Sequence, residues 1–283
     1  MNSLKADYQV EELAQALEVA ASGFYADRHK FRGARRQADQ KLLEKIQPLF
    51  KESRCTYGSP RLCAALRRQG ERCGKNRIAR LMRQNQLQAR QKRRFVPRTT
   101  QSDHDLPIAP NWLAKVPAPA GPDQIWVVDI TYITTAEGWI YLALILDAFS
   151  RKVVGWAMGI SLETSLVTEA LERARRCRAP SPGLLHHSDR GVQYASSAYR
   201  ALLASYQITP SMSRLANPYD NALAESFFAT LKTECLGSEL PRTHAEARLK
   251  VFDYIETFYN PKRLHSALGY LSPVDFERSN SHA

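Results

Sequence analysis

The chain has 283 residues, 44% hydrophobic and 24% charged, with 40 Lys and Arg against 28 Asp and Glu for a net charge of +12. That is globular composition with material for about two domains, which excludes wholesale disorder. The longest apolar run, Trp139 to Leu146, ends at Asp147 well short of a membrane span, and residues Met1 to Tyr8 carry no signal-like apolar stretch. Five scattered cysteines without a Cys-x-x-Cys pair argue against a disulfide scaffold or structural zinc, and for a reducing, cytoplasmic setting.

The charge is unevenly spread. Residues 1–100 hold 23 basic and 9 acidic residues (+14), while 101–283 hold 17 and 19 (−2). Residues 51–100 alone carry 15 basic against 2 acidic. A polycationic module is joined to a near-neutral one, and nucleic acid is the commonest partner of such a module.

In chain order, residues 8–54 read as helical, with a break at Ser22-Gly23 and then a stripe of Leu42, Ile46, Leu49 and Phe50. Tyr57-Gly58-Ser59-Pro60 predicts a helix start, Ser59 as N-cap and Pro60 first in the helix, with Leu62, Ala65 and Leu66 inward. A turn with Gly70 and Gly74 leads to a helix over about Lys75–Leu87 that buries Ile78, Leu81 and Met82. This pair has the outline of a helix-turn-helix, a small all-α region. Its second helix presents Lys75, Arg77, Arg80 and Arg83 to phosphate and base edges, and the run Arg90-Gln91-Lys92-Arg93-Arg94 extends the basic surface.

Six of fifteen prolines fall between Val96 and Pro122, which predicts an extended linker. The expected organisation is a helical region over 1–54, the DNA-binding helix-turn-helix over 55–95, the linker over 96–122, an α/β domain over 123–278 and a tail over 279–283. Within the α/β part, strands are expected at 124–134, 139–147 and 152–158, forming an antiparallel meander. There follow a helix over about 162–178, a strand at 184–187, a helix at 196–206 and a strand near 208–212. A long helix starts near Pro218-Tyr219-Asp220, and another covers 246–258. Together these make a mixed sheet flanked by helices.

Three carboxylates stand out. Asp129 lies inside an apolar strand, where a charge is costly unless paired or metal-bound. Asp189 immediately follows a strand, at the carboxyl end where open α/β sheets place ligands. Glu225 shares the polar face of its helix with Asn221, Ala222, Ala229 and Lys232, while Leu223, Phe227 and Leu231 face inward. If the acids converge, their repulsion raises their pKa values unless cations intervene, and hard oxygen donors favour Mg²⁺ or Mn²⁺. Two such ions about 3.5–4 Å apart suit in-line phosphoryl transfer.

The segments WVVDITYI, GWIYLALILDAFSRKVVGWAM, HHSDRGVQY and SRLANPYDNALAESFFATLKTE resemble the catalytic core of DDE transposases and retroviral-type integrases. Thirty-five residues separate Asp189 from Glu225, the D,D(35)E spacing of that superfamily. FYNPKRLHSALGYLSP, with Tyr259, Asn260, Arg263, His265 and Pro273, is similar to the bacterial insertion-sequence (IS three) family. So are YGSPRLCAALRRQG and KNRIARLMRQNQLQAR, which resemble the helix-turn-helix of that family's second-frame product. The resemblance runs from about Val10 to Phe276.

It implies a ribonuclease-H-like fold and a metal-dependent transposase acting on double-stranded DNA. Asp129 would bridge two Mg²⁺ ions (Mn²⁺ as substitute), with Asp189 and Glu225 each holding one. Activated water would free a 3′-OH at the element's end, and that hydroxyl would attack a second phosphodiester. Lys232 would contact DNA beside the acids, and Arg263 and His265 would reach phosphate or brace the core. A homo-oligomer on DNA and an upstream-frame partner or fusion are further implications. Asp147 is expected to be structural, His186 and His187 to orient their loop or meet DNA, and Asn217, Tyr219, Asp220 and Asn221 to shape a helix start, Asp220 as N-cap. The competing readings are a non-catalytic DNA-binding regulator of transposition and a ribonuclease-H-type nuclease.

Overall fold

A computed structural model describes residues 8–23, 25, 33–90, 106–214, 221–237 and 239–280. The chain forms two compact units, residues 1–89 and 90–283. Among the described residues no helix is long and apolar enough to cross a membrane.

In the first unit, α1 spans Val10–Ala16, α2 Ala34–Glu52, α3 Ser59–Arg68 and α4 Lys75–Gln84. Their core is Leu42, Leu43, Ile46 and Phe50 of α2 against Leu62, Leu66, Ile78, Leu81 and Met82 of α3 and α4. Leu49 of the expected stripe is only half-buried, and Leu43 takes part instead. The start of α3 differs by one residue from expectation. Gly58 is the N-cap and Ser59 the first helical residue, because Pro60 tolerates the second position of the first turn equally well. α2, from the region 1–54, and α3 and α4, from the region 55–95, thus share one core although the sequence pattern distinguishes the two regions.

The second unit is built on a five-stranded sheet, ordered β3-β2-β1-β4-β5. Its strands are β1 Ile125–Thr135, β2 Gly138–Asp147, β3 Val153–Gly159, β4 Leu185–Ser188 and β5 Thr209–Met212. β1, β2 and β3 pair antiparallel as a meander, while β4 and β5 add in parallel. Helices cover the faces: α5 Thr164–Arg178, α6 Val192–Ala195, α7 Ser197–Ser205, α8 Ala222–Leu231, α9 His244–Phe252 and α10 Pro273–Asn280. This mixed sheet between helices is the ribonuclease-H-like arrangement.

The alternation along β1 sorts its side chains. Trp126 and Val128 join α5 and α7 in one core with Leu171, Tyr199 and Leu203, whereas Ile125 and Val127 meet Leu185 and Ala224 on the other. Gly155 in β3 allows α5 to lie directly on the sheet, since a Cβ there would stand 2.5 Å from the carbonyl oxygen of Ala170. The later part of the Pro-rich stretch is docked. Trp112 and Leu113 donate backbone N–H groups to the Ser211 hydroxyl (3.0 and 3.3 Å), and Leu113 packs beside Ala224. Proline density removed helix and strand from this segment but left its apolar side chains to be buried.

The outer edge of β3 is covered by side chains. The Asn260 side chain accepts from the Val153 N–H (2.9 Å) and donates to its carbonyl (3.0 Å), as a neighbouring strand would. Arg173 of α5 donates to the carbonyl of Trp156 (3.0 Å) and Arg248 of α9 to that of Met158 (3.4 Å).

Asp147, at the end of β2, is fully buried. Ser150 donates to it through both N–H and hydroxyl (2.8 Å each), and the Asp123 N–H donates to its second oxygen (2.8 Å). Burial still lifts its pKa above the usual carboxylate range despite those bonds. Beside it, Arg178 pairs with both Asp123 and Glu277, fastening α10 to the end of α5 and to the turn before β1. Asp147 is a structural acid.

Candidate active site

Asp129 is the fifth residue of β1, held beside β2 opposite Leu144. One carboxylate oxygen accepts from the Ile130 N–H (2.8 Å), and the Asn221 side chain also donates to the group. Burial, then the negative charge of Asp189, and more weakly that of Glu225, push its pKa well above the ordinary carboxylate range. The two hydrogen bonds oppose this without cancelling it.

Asp189 directly follows β4, because the strand ends where the chain turns into α6. Its Oδ1 accepts from the Gly191 N–H (3.0 Å) and so closes that turn. Glu225 lies in the first turn of α8 and is exposed, while Ala224, Phe227, Phe228 and Leu231 anchor the helix in the core. Asn221, not an aspartate, is the N-cap of α8 and is buried, and Asn217, Tyr219 and Asp220 lie outside the described residues.

The acids share a field that also reaches Tyr194. Burial first, and then Asp189 and Asp129, raise the pKa of that buried phenol. Among the described residues no three His, Cys, Asp or Glu side chains stand close enough to enclose one metal ion. The acids therefore face one another electrostatically without forming a closed cage.

Lys232 opens a π-helical turn over Lys232–Leu236 that continues α8. Its half-buried ammonium lies 4.9 Å from the centre of the Tyr132 ring. Burial lowers its pKa, while attraction to Asp129 works the other way. The lysine thus lies within the field of the first acid.

Several other expectations change. Arg263 is 4% exposed and donates to both oxygens of Glu234 (2.7 Å each), which also accepts from the Tyr254 hydroxyl (2.8 Å). It is turned into the core, away from phosphate, since a buried guanidinium needs its counter-ion. His265 follows it, 3.3 Å from Arg263 Nη1 and edge-on to Tyr259. Of the two alternatives Arg263 takes the bracing one, and His265 lies half-buried beside it. His186 and His187 are buried beneath Asp189, which removes the DNA contact considered for them. His186 meets the Tyr199 hydroxyl (2.9 Å), and burial lowers its pKa to about 3, so the ring is neutral. His187 meets the Ser211 hydroxyl (2.9 Å).

On the N-terminal unit, Lys75 and Arg83 of α4 are exposed as expected. Arg77 and Arg80 are instead joined to one carboxylate, Asp39 of α2, at 2.6 Å each. Burial works against this carboxylate's charge, but the two guanidiniums prevail and its pKa falls. The pairing crosses some forty residues of sequence, which no local pattern announces. A groove of about 590 Å³ at the entry to α4 is lined by Arg67, Glu71, Arg72, Cys73 and Arg77, among others. Lys92, Arg93 and Arg94 lie outside the described residues.

The chain is similar to known proteins over most of its length. Two families described as Integrase core domain match residues 119–218 and 206–273, and a third, HTH-like domain, matches 37–95. The 31 kDa protein of insertion element IS600 from Shigella sonnei is 42% identical over 264 residues, covering 93% of this chain and 97% of its own. The transposase InsF for insertion sequence IS3A from Escherichia coli (strain K12) is 38% identical over 278 residues, 98% of this chain and 96% of its own. A solved intasome of simian T-cell lymphotropic virus, in complex with the PP2A regulatory subunit B56 gamma, aligns with 82% of this chain and 74% of its own at 17% identity and a TM-score of 0.48.

The integrase-core matches across the sheet and α8 define the class, a DDE-type transposase or integrase. Identities near 40% over nearly whole chains go further: the chain belongs to the IS3 family of insertion-sequence transposases, enzymes of DNA transposition with an HTH-like N-terminal domain.

Proposed function

We propose that Asp129, Asp189 and Glu225 are the catalytic acids of this transposase and hold its divalent cations. The observation that carries the reading is the place of Asp129 within β1, its carboxylate held by the Ile130 N–H and the Asn221 side chain and facing the charge of two further acids on separate elements. Such a group calls for positive charge, and an all-carboxylate donor set suits Mg²⁺, with Mn²⁺ as substitute. Bound there, two cations would neutralise a phosphodiester and ease deprotonation of the attacking water or 3′-OH.

The protein's own contribution is placement. β1 fixes Asp129 through the Ile130 N–H, Asn221 steadies the same carboxylate, and the Gly191 N–H holds Asp189. Lys232 offers a partly desolvated cation to the incoming DNA backbone. Cleavage at an element end frees a 3′-OH, and its attack on a second phosphodiester joins the strands. This reading gives residues 55–95 to DNA holding, 96–122 to connection and 123–278 to catalysis, in a multimer on DNA with an upstream-frame partner. An oligonucleotide bearing the element's end, incubated with the purified chain, should yield joined products with Mg²⁺ or Mn²⁺ and none with chelator. Cleavage without joining under every divalent ion would favour a nuclease instead.

The basic N-terminal region sets a salt dependence. If it neutralises six or more phosphates, affinity for duplex DNA should fall on the order of 10³-fold between 50 and 200 mM salt. Filter binding over that range measures it, and a flat dependence would exclude the assignment. Asp39→Asn should free Arg77 and Arg80 for phosphate. We expect tighter duplex binding at low salt and a steeper salt dependence, by about one to two in slope. The accompanying stability loss should be within about 1 kcal/mol, because the Arg77 and Arg80 side chains are 33% and 39% exposed and solvent screens the pairing.

A further inference from the structure

We propose that Tyr132, Trp139 and Lys232 form a stacking site for an unpaired nucleobase of the DNA strand lying on the acids. The location rests on the acid assignment above; the stacking chemistry does not. Tyr132 pairs with Tyr141 and Thr134 with Trp139, so Tyr132 and Trp139 are diagonal neighbours on one face of the β1–β2 hairpin. Their rings stack, with centroids 5.0 Å apart and planes 25° from parallel. Trp139 nevertheless remains 57% exposed. An isolated exposed apolar side chain needs no explanation. A large ring already held by a second ring, with a lysine at 4.9 Å from that second ring, is a different object.

Lys232 ties the pair to the acids, since it stands on the continuation of the helix that carries Glu225, seven residues further on, and its ammonium reaches the Tyr132 ring. Tyr132 follows Asp129 by three residues on β1, an odd spacing that turns the two side chains to opposite faces of the strand, so the lysine and not the strand spans from the acids to the rings. A DNA strand on the acids with its backbone at this lysine would have bases beside the rings.

The chemistry favours a nucleobase over a protein side chain. Thr134, Glu137 and Gly138 around the hairpin are exposed and offer no apolar rim to seal a protein contact. It favours an unpaired base over a paired one, because bases inside a duplex are already stacked on both faces. Stacking of this kind tolerates any sequence.

The test uses the full chain in chelator, with two DNAs of identical sequence, one fully paired and one with three unpaired terminal nucleotides. Wild type should bind the unpaired end about tenfold more tightly than the paired one. Trp139→Ala should lose that preference, Trp139→Phe should keep most of it, and all three should bind the paired duplex alike. With 5-iodouracil at an unpaired position, ultraviolet cross-links should fall on Trp139 or Tyr132. An undiminished preference in Trp139→Ala, its loss in Trp139→Phe, or cross-links confined to other residues would overturn the proposal. Without a divalent ion the result is independent of whether the acids hold metal, which the joining assay tests separately.

Discussion

Asp129→Asn is expected to lower strand joining by at least about 10³-fold, equivalent to roughly 4 kcal/mol of barrier, while leaving affinity for duplex DNA within about twofold. Asp189→Asn and Glu225→Gln should behave alike if the three acids work as one unit, so combining them should add little further loss. The variants also separate lost chemistry from lost fold. A carboxyl whose pKa is raised in the folded state destabilises that state at neutral pH, where the unfolded chain would ionise it freely. The amide at position 129 still accepts a hydrogen bond and carries no charge. Its melting temperature in chelator should therefore equal or exceed that of wild type. Joining within tenfold of wild type in any one variant would remove that acid from the catalytic set, and a lower melting temperature in Asp129→Asn would show that the charge at position 129 is satisfied in some other way.

The second large effect is expected at the Glu234–Arg263 pair. Both residues are buried, and Glu234 accepts two hydrogen bonds from the guanidinium and one from Tyr254. Removing one partner strands the other charge in the core, which typically costs about 3–5 kcal/mol. Arg263→Ala should thus lower the melting temperature of the catalytic unit by on the order of 10 °C. Replacing both partners by apolar residues of similar length, Glu234→Leu with Arg263→Met, should recover most of that loss. Equal destabilisation in the single and double variants, measured by urea unfolding, would exclude the stranded-charge explanation. Glu234 lies two residues after Lys232 in the same π-helical turn, so Arg263→Ala should also impair joining at temperatures where the unit remains folded.

The parts of the candidate site legible in the sequence were those written locally. Asp129 declared itself by standing within an apolar strand, Asp189 by following one, and Glu225 by the polar face of an otherwise buried helix. The meander was equally plain, because three β-rich runs are separated by short turns. What stayed hidden depended on partners far along the chain. Arg263 reads as a surface cation until Glu234, 29 residues earlier, is folded against it. Arg77 and Arg80 read as unpaired cations until Asp39 is brought beside them. His186 and His187 sit in a short motif that looks exposed beside Asp189, but β4 lies inside the sheet between β1 and β5, which buries both. The π-helical turns at Lys232–Leu236 and Asp253–Tyr259 left no periodic trace, since each occupies less than two turns.

The side chains along the outer edge of β3 bear on how copies of this protein can meet. An edge strand with free N–H and C=O groups invites another strand to pair with it. Here Asn260 occupies both groups of Val153, and two arginines occupy the carbonyls of Trp156 and Met158. A copy seeking to extend the sheet on that side would have to displace three side chains from two helices and a loop. Pairing of another strand on the β3 side is thereby disfavoured, so contacts between copies on that side of the sheet would have to form through side chains and not through backbone.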